Sequence, residues 1–275
     1  AKTQAAYHSC LLDTEMSVRV FADMLSQPAR AVTIFCSAAR IPHEVVRVRV
    51  GRGDTRTPEF VKINPRMRVP VIVDGDFILT ESVAIMRYLA REKEVEDHWY
   101  PRDSKAQARV DEYMEWQHLN IRCFMSSVLE EAYLLTFNRK EGSLFAVHKY
   151  LNPMITGKVD NMRVAVAEKA LTSCLDDFER MWLRDGRSYM AGEEISVADI
   201  LAVCELEQPS MAGFRVGEGR PAMAGYMERV RRDLTPHYDT HTELIYKLRE
   251  KFMRGGVSAS LGQSPTFKNE FQNMP

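Results

Sequence analysis

The chain is poor in the features that would settle its function at a glance. Its 5 cysteines, Cys10, Cys36, Cys123, Cys174 and Cys204, are scattered and odd in number. No two stand as CxxC, so neither a disulfide framework nor a cysteine zinc site is suggested, and a reducing compartment fits best. The 7 histidines show no HExxH or similar spacing, which argues against a metal site. Net charge is −1, so no global field points to nucleic acid or to a membrane surface. No apolar run approaches the roughly 18 residues of a transmembrane helix. The opening AKTQAAYHSCLLDTE lacks both a basic n-region and a long apolar stretch, unlike a secretory signal. A cytoplasmic chain with no metal, nucleic-acid or membrane partner is expected.

What is present is a sizeable core and a local excess of cations. With 275 residues and 45% hydrophobic content, the chain can fill two domains. Between Val18 and Arg91, arginines and lysines outnumber acids twelve to seven. That excess is either ordinary solvated surface or a weak attraction for a small anionic ligand.

The stretch Val61–Leu89, VKINPRMRVPVIVDGDFILTESVAIMRYL, carries most information. Val71–Val73 and Phe77–Leu79 read as strands joined by Asp74-Gly75-Asp76, whose glycine suits a tight hairpin. Pro70 sits where the first strand begins, a place often held by a cis bond. A helix then opens on Glu81-Ser82. Upstream, Val18–Ala22 and Val45–Val50 read as strands, Pro28–Ala39 as a helix with proline in its first turn, and Pro58–Lys62 as a short helix. The order β-α-β-α-β-β-α makes one small α/β layer unit.

Residues 1–15 read as a disordered N-terminal appendage, 16–93 as the α/β domain and 94–104 as a linker. Residues 105–252 then read as an all-helical domain and 253–275 as a tail. Helical periodicity covers Ala106–Leu134, Val159–Leu183, Ser196–Glu207, Pro221–Leu234 and Pro236–Phe252. Ser196 and Asp199 form a capping-box variant, with Ile195 and Ile200 spaced as a hydrophobic staple. That motif concerns folding rather than catalysis.

Ser26-Gln27-Pro28-Ala29 lies between the first strand and the first helix. Ser26 can cap that helix, or its hydroxyl can donate to a bound sulfur and stabilise a thiolate. Glu81 is either a first-turn acid favoured by the helix dipole or a ligand contact. Arg68 reads as solvated surface or ligand contact, Asp111 as exposed charge or interface acid, and Trp116 as helix packing or pocket wall.

The segments LSQPARAV, INPRMRVP, DGDFILTESVAI, WYPRDSKAQARVDEYMEWQH and ISVADI together resemble a theta-class glutathione transferase, from about Val18 to Leu248. The resemblance implies a thioredoxin-like N-terminal domain, an all-α C-terminal domain and a homodimer that conjugates glutathione to small hydrophobic electrophiles. It implies Ser26 as the thiolate-stabilising hydroxyl, with Gln27 beside it. Arg68 and Val69 would meet the cysteinyl-glycine part, and Glu81 and Ser82 the γ-glutamyl end. Asp111 would reach across the dimer interface, while Leu25, Trp116 and Arg122 would belong to the electrophile pocket. One departure stands out: Thr55 falls where many theta enzymes carry histidine for the glycine carboxylate, and Arg56 could take that role. A non-catalytic binding or assembly module of the same fold is the alternative.

Overall fold

The computed structural model describes residues 17–122 and 160–255. The N-terminal appendage, Cys10, Cys123, the far half of the expected helix Ala106–Leu134 and residues 256–275 lie outside that set.

The first unit contains β1 (Val18–Ala22), α1 (Gln27–Ala38), β2 (His43–Arg47), α2 (Pro58–Ile63), β3 (Val71–Asp74), β4 (Phe77–Thr80) and α3 (Ser82–Glu92). The strands form one sheet of order β2-β1-β3-β4. β1 runs parallel to β2 and antiparallel to β3, and β3–β4 is the hairpin, turned by Gly75 at φ 61°. The order of elements is the one read from the sequence, and the Val69–Pro70 bond is cis.

β1 shows why the sheet needs helices on both faces. Val18, Val20 and Ala22 enter the main core with Val32, Phe35, Ile85 and Leu89 of α1 and α3. Phe21, between them, packs with Phe60 of α2, Val48, Val71 and Val73 in a second cluster on the opposite face. Alternate residues of a strand point to opposite faces, so burial of both sets yields a helix–sheet–helix sandwich, the thioredoxin-like arrangement.

Most element ends fall within three residues of the sequence reading, and two differences have a visible cause. β2 runs from His43 to Arg47 rather than from Val45 to Val50. Its ladder with β1 ends at the pair Ala22 and Arg47, and the Val50 N–H goes instead to the Asp23 carboxylate at 2.9 Å. The first long helix, α4 (Ser104–Leu119), stops at Asn120. There the Asn120 amide donates to the Trp116 carbonyl at 2.7 Å, replacing a backbone N–H in the helical ladder.

The helical part comprises α4, α5 (Asn161–Trp182), α6 (Val197–Glu207), α7 (Pro221–Leu234) and α8 (His237–Gly255). Every residue of α6 is buried except the last, Glu207, as befits a helix apolar on nearly all sides. It packs against α1, α4 and α7, so one continuous core joins the two units. The capping box forms as expected: the Asp199 carboxylate accepts from the Ser196 N–H at 2.9 Å and from its hydroxyl at 3.0 Å. Asp199 also accepts from the Met190 N–H and the Tyr226 hydroxyl.

Candidate active site

Sheet topology alone gathers the chemistry at one end. Phe21 pairs with Val71 and Val71 with Thr80, so the exit of β1, the entry to β3 and the exit of β4 share an edge. The parallel partner β2 leaves at the same end. Ser26, the loop holding Thr55 and Arg56, the Val69–Pro70 joint and the Glu81-Ser82 turn therefore surround one rim of the sheet.

Ser26 occupies the N-cap position of α1 but makes no capping bond with its side chain. Its carbonyl takes the Arg30 N–H at 2.9 Å, and its own N–H donates to the Asp23 carbonyl. The residue is only 6% exposed. A serine fixed at both backbone groups, with its hydroxyl uncommitted among the described residues, can donate to an incoming anion.

The cis joint is prepared from the side of α2. Asn64, buried after that helix, donates its amide to the Arg68 carbonyl at 2.8 Å and accepts the Arg66 N–H at 3.0 Å. Val69 packs half-buried between the two core clusters, while the Arg68 side chain is exposed. Among the described residues, neither backbone polar group of Val69 is hydrogen-bonded, so an extended ligand could add to it like a strand.

At the third corner Glu81 precedes α3 with φ 68° and ψ 111°, outside the regions open to most side chains. Its side chain is 61% exposed and, among the described residues, its carboxylate reaches only Arg66, at 3.3 Å. Ser82 is buried at the first turn of the helix, where N–H groups lack intrahelical partners. In the remaining loop Thr55 is buried and Arg56 exposed. The Asp54 carboxylate accepts the Arg49 backbone N–H at 2.9 Å and its Nε at 3.0 Å. Slight burial would raise the Asp54 pKa, but those two bonds and the Arg49 charge outweigh it and hold the carboxyl below its usual range.

Comparison with known proteins decides the family. The model of the glutathione S-transferase N-terminal domain matches residues 16–91, and that of the C-terminal domain matches residues 145–233. Bovine glutathione S-transferase theta-1 is 40% identical over 217 residues, covering 78% of this chain and 82% of that relative. The chain belongs to the theta class of glutathione S-transferases. Human glutathione S-transferase T1-1 superposes with a TM-score of 0.76 at 34% identity, covering 94% of this chain and 97% of that one. A human theta-class enzyme holding the glutathione conjugate of 1-menaphthyl sulfate gives 0.75 at 32% identity, covering 94% and 98%. These relatives make the chain a glutathione transferase rather than the binding or assembly module that the sequence left open.

The other residues singled out in this glutathione transferase have visible partners within the chain. The Asp111 carboxylate is held within its own chain by Arg87 at 2.6 Å and by the Tyr100 hydroxyl at 3.1 Å. Trp116 is half-buried in an aromatic cluster, with ring centroids 5.5 Å from Trp182 and 6.0 Å from Tyr113, so packing is its visible role. Arg122 pairs with the fully buried Glu205 at 2.8 Å, and Gln27 donates to the same carboxylate at 3.1 Å. Leu25 packs half-buried against the main core.

Sequence reasoning missed Arg30, Glu205, Gln208 and Asn64. The first two carried a visible signal: charges embedded in the apolar runs PARAVTIF and ILAVCELE. Thiol chemistry at Cys36 and Cys204 is disfavoured, because burial pushes both thiols up to about 12, far from the range of a reactive thiolate. Among the described residues no group of three or more His, Cys, Asp or Glu could hold a metal ion.

Proposed function

We propose that this glutathione transferase uses the Ser26 hydroxyl to stabilise the glutathione thiolate for attack on small electrophiles. The carrying observation is the buried serine at the head of α1, whose hydroxyl makes no capping bond. An ordinary thiol, with a pKa of about 8.5, is only a few per cent ionised at neutral pH. A hydrogen bond to the sulfur anion lowers that pKa. The thiolate then displaces a halide from carbon, opens an epoxide, or cleaves a hydroperoxide. In the last case a second glutathione completes reduction to alcohol, water and glutathione disulfide.

In this reading the Val69 backbone receives the cysteinyl part, Arg68, Thr55 and Arg56 line the glycine end, and Ser82 takes the γ-glutamyl carboxylate. Glu81 meets the ammonium. The Asp54 charge does not oppose the glycine carboxylate strongly, because Arg49 compensates it. Asp111, held in place by Arg87 and Tyr100 with its side chain still 34% exposed, reaches across the dimer interface toward the partner's glutathione. Gln27, whose amide goes to Glu205, supports the serine turn. The glutathione conjugate in the human theta-class relative supports electrophilic carbon as a substrate centre.

The proposal includes a cytoplasmic homodimer. Buried free thiols at Cys36, Cys174 and Cys204 suit a reducing compartment. Phe77 and Ile78 of the edge strand β4 are 43% and 44% exposed, an apolar edge that a second copy could cover. The test is a screen of a benzylic chloride, an epoxide and cumene hydroperoxide with glutathione, beside sedimentation of the same preparation. Turnover of at least one substrate class by a dimer is expected; no glutathione-dependent turnover of any would overturn the reading.

A further inference from the structure

The turn that carries Ser26 is held from both sides. From the sheet side, the Asp23 carboxylate accepts the Leu25 N–H at 2.9 Å and the Val50 N–H at 2.9 Å, while the Asp23 carbonyl takes the Ser26 N–H at 2.9 Å. From the other side come two donors, one on α1 itself and one far along the chain in the helical part. Arg30 Nη1 donates to the Met24 carbonyl at 2.9 Å, and Gln208 Nε2 donates to the Leu25 carbonyl at 3.0 Å. Arg30 Nη2 then joins the two, donating to Gln208 Oε1 at 2.6 Å and to the Cys204 carbonyl at 3.0 Å.

Arg30 and Gln208 are both fully buried. Among the described residues no carboxylate bonds the Arg30 guanidinium, and its Nε has no partner. A buried cation with no carboxylate hydrogen-bonded to it is a poor way to stabilise a core, where an apolar residue of similar volume does as well or better. What the guanidinium does that an apolar residue cannot is hold three oxygens at once in one plane. Two of its partners, the Met24 carbonyl and Gln208, reach the serine turn.

We propose that Arg30 and Gln208 are positioning residues that fix the Ser26 hydroxyl, so that the helical region, through Gln208, takes part in setting the geometry of thiolate stabilisation. The inference rests on Ser26 being the thiolate-stabilising group. With the carbonyls of residues 24 and 25 pinned, the Ser26 Cα is set, and the hydroxyl is left only its own rotamers. A hydrogen bond to sulfur weakens steeply once distance and angle drift. Freeing the Leu25 carbonyl would let the turn rotate.

The test uses the full chain carrying Gln208→Glu, which keeps an acceptor for Arg30 and removes the donor to Leu25. Turnover of the benzylic chloride should fall about tenfold or more, as for other small misplacements of a reacting group. The pH at which bound glutathione ionises, read from ultraviolet thiolate absorbance, should move up, while KM for glutathione stays within about twofold because the peptide ends are held elsewhere. In a Ser26→Ala background the same substitution should lower activity no further. Gln208→Leu carries the same expectations should the glutamate variant not fold. Unchanged turnover and ionisation in a folded variant would overturn the inference, as would a loss that multiplies that of Ser26→Ala. Full activity of Ser26→Ala alone would instead overturn the serine reading and the inference with it.

Discussion

Gln27 donates its side-chain amide to the Glu205 carboxylate at 3.1 Å, joining the residue after the candidate serine to one 178 positions further along the chain. Glu205 is fully buried, and its other oxygen takes Arg122 Nε at 2.8 Å. Arg122 also lies 3.3 Å from His118 Nδ1. Burial first, and then the Arg122 charge, hold the His118 pKa below its usual value, so a neutral ring can accept there. One acidic side chain of α6 thus braces both α1 and the segment following α4.

Breaking that brace on the cationic side should be costly. Arg122→Met leaves Glu205 as a buried charge without its counter-ion, expected to destabilise the fold by about 3–5 kcal/mol. The double variant Arg122→Met, Glu205→Leu should recover much of the loss, since an apolar pair of similar volume has no charge to desolvate. Denaturant unfolding of the two variants beside the parent checks this. A single variant as stable as the parent would show that the pair holds little.

Ser26→Ala separates chemistry from binding. The contacts assigned to the peptide ends of glutathione lie at Val69, Glu81 and Ser82, so affinity should change little. Turnover should fall by roughly 10²-fold or more, the usual scale for a positioned proton-handling group. The pH–rate profile should shift its rising limb upward as the bound thiol loses its hydrogen-bond donor. Stability should hardly move, because the lost hydroxyl makes no cap. An unchanged rate across the profile would remove Ser26 from the mechanism.

The hairpin, the cis joint and the capping box were legible because each is local: Gly75, Pro70 and the Ser196–Asp199 spacing work through neighbours a few residues away. The rim of Ser26, Val69 and Glu81 was legible only through resemblance, since no period or spacing brings β1, β3 and β4 to one edge. Arg30 and Glu205 were visible as charges in apolar runs, but the partners that explain them lie 174 and 178 residues away. The end of β2 was misjudged because Val48 and Val50 continue an alternating pattern, while the Asp23 carboxylate, remote in sequence, captures the Val50 N–H. Trp116 could not be assigned from spacing, because its aromatic partners Phe178 and Trp182 come from α5.

A pH dependence of stability follows from the junction of α1, β2 and α8. Ser37 Oγ lies 3.0 Å from His241 Nε2 and 3.4 Å from His43 Nε2, and His43 Nδ1 lies 2.8 Å from the Ile41 carbonyl. A carbonyl only accepts, so His43 carries its proton on Nδ1 and takes the serine hydroxyl on Nε2, leaving Ser37 to accept from His241. Burial first, and then the neighbouring His43 and His237, push the His241 pKa down from 6.5 to about 4. Between those values the unfolded chain binds more protons than the folded one, so stability rises with pH. The contribution is complete above about 6.5 and is lost as pH falls toward 4. Thermal melts across that window should show a declining melting temperature that His241→Gln flattens. Equal slopes in the two proteins would assign acid sensitivity to other groups.

Glu81 separates a ligand clamp from a structural turn most sharply. Its backbone sits at a positive φ that carries strain for any residue with a Cβ, and its carboxylate gives the folded protein little in return. The side chain makes no capping bond. Its ion pair with Arg66 joins two groups that are 61% and 74% exposed, a setting in which such pairs contribute about 0–1 kcal/mol. If the carboxylate meets the γ-glutamyl ammonium, Glu81→Gln keeps shape and backbone while removing the charge. Glutathione should then bind more weakly by about 1–3 kcal/mol, the range for a hydrogen bond to a charged group. Stability should shift by no more than about 0.3–1 kcal/mol, the scale of a charge beside a helix N-terminus. A structural Glu81 gives the reverse: a lowered melting temperature with glutathione affinity intact. Calorimetric titration with glutathione, beside thermal melting of this one variant, distinguishes the two, and unaltered affinity would take Glu81 out of the site.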